Sequence, residues 1–183
     1  MKDIKNIKEI STIERLENEY DLQRASLLDR KLRLMVKENS DLQLIRKKIR
    51  ELIEEYENRK WSDFEKVSDS QVEESEKAEE IVNFEQEFIQ KRKESIKKKL
   101  KEFDITQQEF GLILGHSKSY MSELTNGVSQ FTLKDLVIIH RLLGISLKIL
   151  ISTYLQPETR DKVRESIDKL NKPKLRLRKT ELA

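Results

Sequence analysis

Apolar residues recur at helical spacing along most of this chain. Ile4, Ile7, Ile10, Ile13 and Leu16 step by three toward Tyr20, a weak helical signal. Leu28, Leu32 and Met35 continue an apolar face through residues 22–38. Asn39-Ser40-Asp41 then interrupts the pattern and offers a fresh N-cap. The clearest amphipathic stretch follows. Leu42, Ile45, Ile49, Leu52 and Tyr56 are spaced 3, 4, 3 and 4 apart, which places all five on one stripe of a helix. Arg46, Lys47, Lys48, Arg50, Glu54 and Glu55 take the other faces. A helix of this kind must cover its seam. The candidates are residues 22–38, a second protomer or another protein. Trp61 and Phe64 follow, either as caps on a small core or as interface anchors. A third, long helix is predicted from Ser75 or Ala78 to Glu102, with Ile81, Phe84, Phe88, Ile96, Leu100 and Phe103 on its apolar side.

From Thr106 the elements become short, and each has a start and a stop signal. Thr106 and Glu109 form a capping-box pattern opening a helix Gln107–Leu114, and Gly115 ends it. Ser117 caps a second short helix that stops at Asn126-Gly127. Thr132 with Asp135 opens a third, through Leu143 to Gly144. Ser146 caps a last one, Leu147–Leu155, before Pro157. Two short helices joined by a glycine turn have helix-turn-helix geometry. Phe110 and Leu114 point inward from the first helix, Met121 and Leu124 from the second, and Gly111 is small where the two cross. The outward set is then Lys118, Ser119, Tyr120, Ser122, Glu123 and Asn126. These are mostly hydrogen-bonding side chains suited to base edges in a major groove. His116 and His140 read as structural, with a phosphate contact the lesser option for His116.

Composition narrows the class. Charged residues make up 39% of the chain, far above the usual quarter or so, while Gly and Pro number only 4 and 2. Long solvated helices with narrow seams fit this balance; a loop-rich β-fold does not. With no Cys and 2 His, disulfides, thiol nucleophiles and multi-histidine metal centres are excluded. No Ser/His/Asp arrangement, phosphate loop or metal-spaced histidine pair is visible, so no catalysis, metal or cofactor is expected. No apolar run is long enough to span a membrane, and the N-terminus lacks a signal-peptide core. A soluble, cytoplasmic, all-α protein is the expectation.

The net charge of +3 hides a strong segregation. Residues 65–87 carry 9 acidic and 2 basic side chains, and residues 88–103 carry 2 and 7. The acidic stretch reads as a solvated linker or hinge, or else as a docking surface for a basic partner. The basic block Lys91–Lys99 is either an exposed helix face or a phosphate-facing one. Lys172–Lys179 reads as a frayed tail, or as an arm along nucleic acid.

The string Gln107-Gln108-Glu109-Phe110-Gly111, then Leu114-Gly115, then Ser117–Gly127, resembles the Cro/lambda-repressor type of helix-turn-helix domain. That resemblance implies Gln107 and Asn126 at phosphates and Lys118, Ser119 and Ser122 near bases. Tyr120 is larger than many members carry there. The order of segments is similar to the HigA antitoxins: the amphipathic helix at residues 42–57, including Leu-Ile-Glu-Glu-Tyr-Glu, then an aromatic-bearing loop, a helix and the helix-turn-helix. It implies neutralisation of a HigB-like ribonuclease and repression of the chain's own operon. The expected organisation is an N-terminal helical partner-binding or dimerisation region with the acidic linker (1–80), a five-helix lambda-repressor-like domain (81–156), and a C-terminal helix with a basic tail (157–183). Operator double-stranded DNA, a toxin and a second copy of the chain are the expected partners, with no membrane. Leu42, Ile45, Ile49, Leu52 and Tyr56 are the candidate partner-binding seam. A free-standing Xre-type regulator dimerising through the N-terminal helices is the alternative, and a helical scaffold without DNA a third reading.

Overall fold

The computed structural model describes residues 12–178 apart from 38, 64, 66 and 173. Among these, the elements are eight α-helices and no strand. They are α1 (Glu19–Met35), α2 (Leu42–Lys60), α3 (Asp69–Glu102), α4 (Gln107–Leu114), α5 (Lys118–Asn126), α6 (Leu133–Leu143), α7 (Leu147–Leu150) and α8 (Pro157–Lys169). The helix expected through Ile4–Leu16 falls mostly outside the described residues, and residues 13–17 are not helical. α7 stops four residues after Ser146 instead of running to Leu155.

α1 and α2 pack as an antiparallel pair around a first core. Its members include Leu22, Ala25, Leu32 and Met35 from α1 and Leu42, Ile49, Leu52 and Tyr56 from α2, with Ile45 partly buried against it. This corrects one expectation. The seam Leu42, Ile45, Ile49, Leu52 and Tyr56 is not an open partner surface, because α1 of the same chain covers it. The physical reason is proximity: a turn of a few residues delivers a matching apolar face at little loop-closure cost. The polar edge of this core is also specific. Glu19 is buried and accepts hydrogen bonds from the Tyr56 hydroxyl (2.9 Å) and Trp61 Nε1 (3.0 Å). Trp61 therefore caps the core; Phe64 lies outside the described residues. Asn39, not Asp41, supplies the side-chain bond in the turn, its Oδ1 accepting from the Asp41 amide at 3.2 Å. Asp41 stands at the N-cap position of α2 in helical conformation and makes no side-chain cap.

α3 is 34 residues long, about 50 Å. Its first half takes in the acidic stretch from Asp69 onward, so most of that stretch is helix and not linker, and residue 80 lies inside the helix. Ser68 caps it, accepting from the Gln71 amide at 3.3 Å, and Asp69 in the first turn suits the helix dipole. Ala78 and Val82 bury the narrow seam of this half, and Ile96 and Leu100 that of the other. The first half packs on α1, where the Tyr20 hydroxyl donates to Glu85 Oε1 at 2.6 Å and Arg24 pairs with the same carboxylate at 3.7 Å. Phe103, expected on the apolar side, is exposed at the helix end.

The second half of α3 joins α4–α7 around a second core of Ile96, Leu100, Phe110, Leu114, Met121, Leu124, Phe131, Ile139, Leu143, Ile145 and Leu150. This is the expected five-helix unit, with its first helix lengthened by the acidic half. Apolar side chains left exposed include Leu112 on α4, Leu133 and Leu142 on α6, and Leu147 on α7. No helix of the described residues is long and apolar enough to cross a membrane.

Leu52→Ala should destabilise the chain by about 2–5 kcal/mol, as truncation in a packed core does. Because the seam is intramolecular, the urea midpoint of wild type and variant should shift by the same amount at every protein concentration. A loss that vanishes on dilution would return the seam to an intermolecular role.

Candidate nucleic-acid interface

Local chemistry builds the α4–turn–α5 unit almost unaided. Thr106 Oγ1 accepts from the Glu109 amide (3.2 Å) while Glu109 Oε2 accepts from the Thr106 amide (2.8 Å), a complete capping box. Gly115 ends α4 at φ 78°, a left-handed conformation costly for any residue with a Cβ. Ser117 Oγ then accepts from the Tyr120 amide at 3.2 Å and starts α5. Gly111 is required by close approach: a Cβ there would lie 2.8 Å from Met121 Cγ and 3.0 Å from the His116 carbonyl oxygen. α4 and α5 cross at this point.

The expected reading residues fall into three environments. Lys118 and Ser119 are exposed in the first turn of α5. Ser122 and Asn126 continue the same stripe but are half-buried. Asn126 Nδ2 donates to the Ser122 carbonyl (2.8 Å) and to Ser122 Oγ (3.3 Å), and its Oδ1 accepts from Lys93 Nζ at 2.7 Å. Gln107 opens α4 and is half-buried. Tyr120 turns inward. It packs on the second core and meets the His116 ring edge-on at 5.1 Å, and burial with Glu123 and Asp135 nearby raises its hydroxyl pKa. Glu123, expected to face outward, is buried and accepts from Ser129 Oγ at 3.0 Å. It closes the segment after α5 instead of meeting a ligand.

Two features were not read from the sequence. His116 Nε2 lies 3.0 Å from Asp135 Oδ1, and Asp135 also completes the capping box of α6 with Thr132. One buried carboxylate thus ties the helix-turn-helix turn to the next helix. A polar residue suits position 116 because a partner 19 residues away satisfies it. The second feature is the basic block, which divides. Arg92 is structural: it lies over Phe88 and Phe131 and donates to the Leu150 carbonyl at 3.3 Å, and burial lowers its pKa to about 10. Lys93 instead reaches the C-terminal end of α5. A cation there also complements the helix dipole.

Residues 96–150 match the family model described as Helix-turn-helix. The match supports a helix-turn-helix domain of the Cro/C1 type over this segment. The matched residues run from the second half of α3 through α7, the same elements that enclose the second core. No curated protein and no solved structure matches the chain significantly. The domain match supports a DNA-binding, Xre-type regulatory role.

Beside this stripe lies an unusual lysine. Lys31 of α1 lines a cavity of about 60 Å³ with Arg24, Glu85, Gly127 and Val128. Burial, then neighbouring Arg24, Lys93 and Arg92, lower its pKa to about 8 from 10.5. The unfolded chain therefore holds this proton more tightly than the folded one. Charged Lys31 is a destabilising group below pH 8, and that penalty fades as pH rises toward 10.5. Lys31→Met should raise stability near pH 7 by about 1–3 kcal/mol. The gain, followed by urea melts, should narrow between pH 8 and 10; a gain independent of pH would mean that packing, not charge, produced it.

Proposed function

We propose that this chain binds double-stranded operator DNA through α5, represses transcription there, and does so as the antitoxin of a toxin–antitoxin pair. The observation that carries the DNA reading is the α5 stripe. Lys118 and Ser119 stand exposed in the first turn of a helix whose other faces are fixed by Met121, Leu124 and Glu123. That edge is the one turned away from the second core. Lys118 reaches a base edge or a phosphate, Ser119 and Ser122 offer hydroxyls to bases, and Gln107 and Asn126 set register on phosphates. A homodimer presents two such helices to a palindromic site.

The antitoxin part rests on the resemblance in segment order to HigA proteins and on the first half of α3. Glu73, Glu76, Glu79, Glu80 and Glu87 are exposed along that half, a charge pattern complementary to a small basic ribonuclease. The covered α2 seam shifts the expected toxin contact away from Leu42–Tyr56 and onto this ridge. It equally weakens the rival reading of a regulator that dimerises through the α2 seam.

Selection from a random duplex pool should return a palindrome with half-sites about 10 bp apart or a multiple of that. Lys118→Ala should then weaken binding by about 1–3 kcal/mol if it pairs with guanine. If it touches phosphate only, the loss should be equal on all sequences and the salt slope smaller by about one. Unchanged affinity would remove Lys118 from the reading face. Separately, affinity capture of the full chain from its native cells should bring down a stoichiometric, small, basic protein. Recovery of only the chain and DNA would sink the antitoxin part and leave the repressor part standing.

A further inference from the structure

We propose that the N-terminal helical pair is a lid on the reading helix: in this conformation the chain blocks the edge of α5 that would enter DNA. The proposal rests on the reading of α5 as the groove-entering helix. Two contacts at opposite ends of α5 carry it. At the N-terminal end, Asn39 Nδ2, in the turn between α1 and α2, donates to Ser119 Oγ at 3.1 Å. At the C-terminal end, Val128 is buried in the α1–α2 core, and Gly127 and Val128 face Leu28 and Lys31 of α1 across the small cavity. From Ser119 to Gly127 the chain advances about 12 Å, and from Leu28 to Met35 about 10 Å. The second half of α1 and the turn after it thus touch α5 at its two ends.

The dimensions of DNA decide what this means. The major groove is about 12 Å wide, and one helix with its side chains is about 10–12 Å across. There is no width left for a second element bonded to the edge of the inserted helix. Ser119 sits in the first turn, the part of a reading helix that goes to the bases. An element hydrogen-bonded to it meets the groove wall before α5 is seated. The Asn39 amide is also used at both ends, since its Oδ1 accepts from the Asp41 amide. It is a latch within the protein and not a donor held out for a base.

The latch is asymmetric. The Val128 end is buried among apolar side chains, while the Asn39 end is one neutral, exposed hydrogen bond. A net contribution of that kind is small, so duplex DNA competes with it by lifting the turn away from Ser119. Affinity for DNA is then set jointly by α5 and by how tightly the turn is held. Anything that binds the α1–α2 pair or the acidic half of α3 acts on repression through the same turn.

The test is fluorescence anisotropy of the full chain with a random-sequence duplex pool, and then with the selected operator. Asn39→Ala should bind about two- to tenfold more tightly than wild type, the range of one net hydrogen bond. The chain has no cysteine of its own, so Lys37→Cys, exposed in the same turn, carries a unique thiol for an environment-sensitive fluorophore. Adding the selected operator should shift its emission as the turn leaves Ser119. Unchanged emission at saturating operator overturns the lid. So does a weaker-binding Asn39→Ala, which would make Asn39 part of the DNA interface. If neither wild type nor Asn39→Ala binds any duplex, the DNA reading itself fails, and the lid with it.

Discussion

One uninterrupted helix packs against both halves of the chain. α3 meets α1 along its first half, where Tyr20 and Arg24 reach Glu85, and gives Ile96 and Leu100 to the core that encloses the helix-turn-helix. A helix of this length bends only gently, so the N-terminal pair and the DNA-binding unit are held in a set relation and do not swing on a linker. That one constraint places the α1–α2 turn beside Ser119. A kink or break between Val82 and Ile96 would undo that placement.

Around this spine the polar interactions sort by burial. Bonds in the helix-turn-helix are short-range and largely self-sufficient: capping boxes, glycine turns and a serine cap, each satisfying backbone groups that a helix end would otherwise leave bare. Other side-chain bonds reach across the sequence from buried or half-buried carboxylates. Glu19 collects Tyr56 and Trp61, Asp135 collects His116, and Glu85 collects Tyr20. These groups tie separate elements together, because an unsatisfied buried polar atom costs more than the net gain of an ordinary hydrogen bond. Cations near α5 follow the same rule. Arg92 gives up solvent for two aromatic faces and a carbonyl, while Lys31 lies in a small cavity with a depressed pKa.

The reading stripe is therefore not a free surface bordered by solvent. Its N-terminal end is touched by Asn39 and its C-terminal end by Lys93. This arrangement links the two halves of the chain in structure, and under the lid proposal in function. The α2 stripe from Leu42 to Tyr56 is covered by α1 of the same chain. Under the lid proposal the N-terminal pair acts on DNA binding through what its turn touches.

The sequence by itself determined nearly everything local. Every boundary of α4, α5 and α6 is legible in Thr106, Gly115, Ser117, Gly127, Thr132 and Gly144, because caps and left-handed glycines act within four residues of where they stand. The α2 stripe and its need for cover were equally plain from Leu42 to Tyr56. Tertiary structure decided the long-range choices. That α1 covers this stripe, that Glu65–Glu87 is mostly helix, and that Glu123 turns inward to Ser129 all depend on partners far away or on seams too narrow to register. Ala78 and Val82, buried among nine carboxylates, give almost no periodic signal. Asn39 on Ser119 lies beyond sequence reasoning altogether: two polar residues 80 positions apart meet only because a rigid helix brings their elements together.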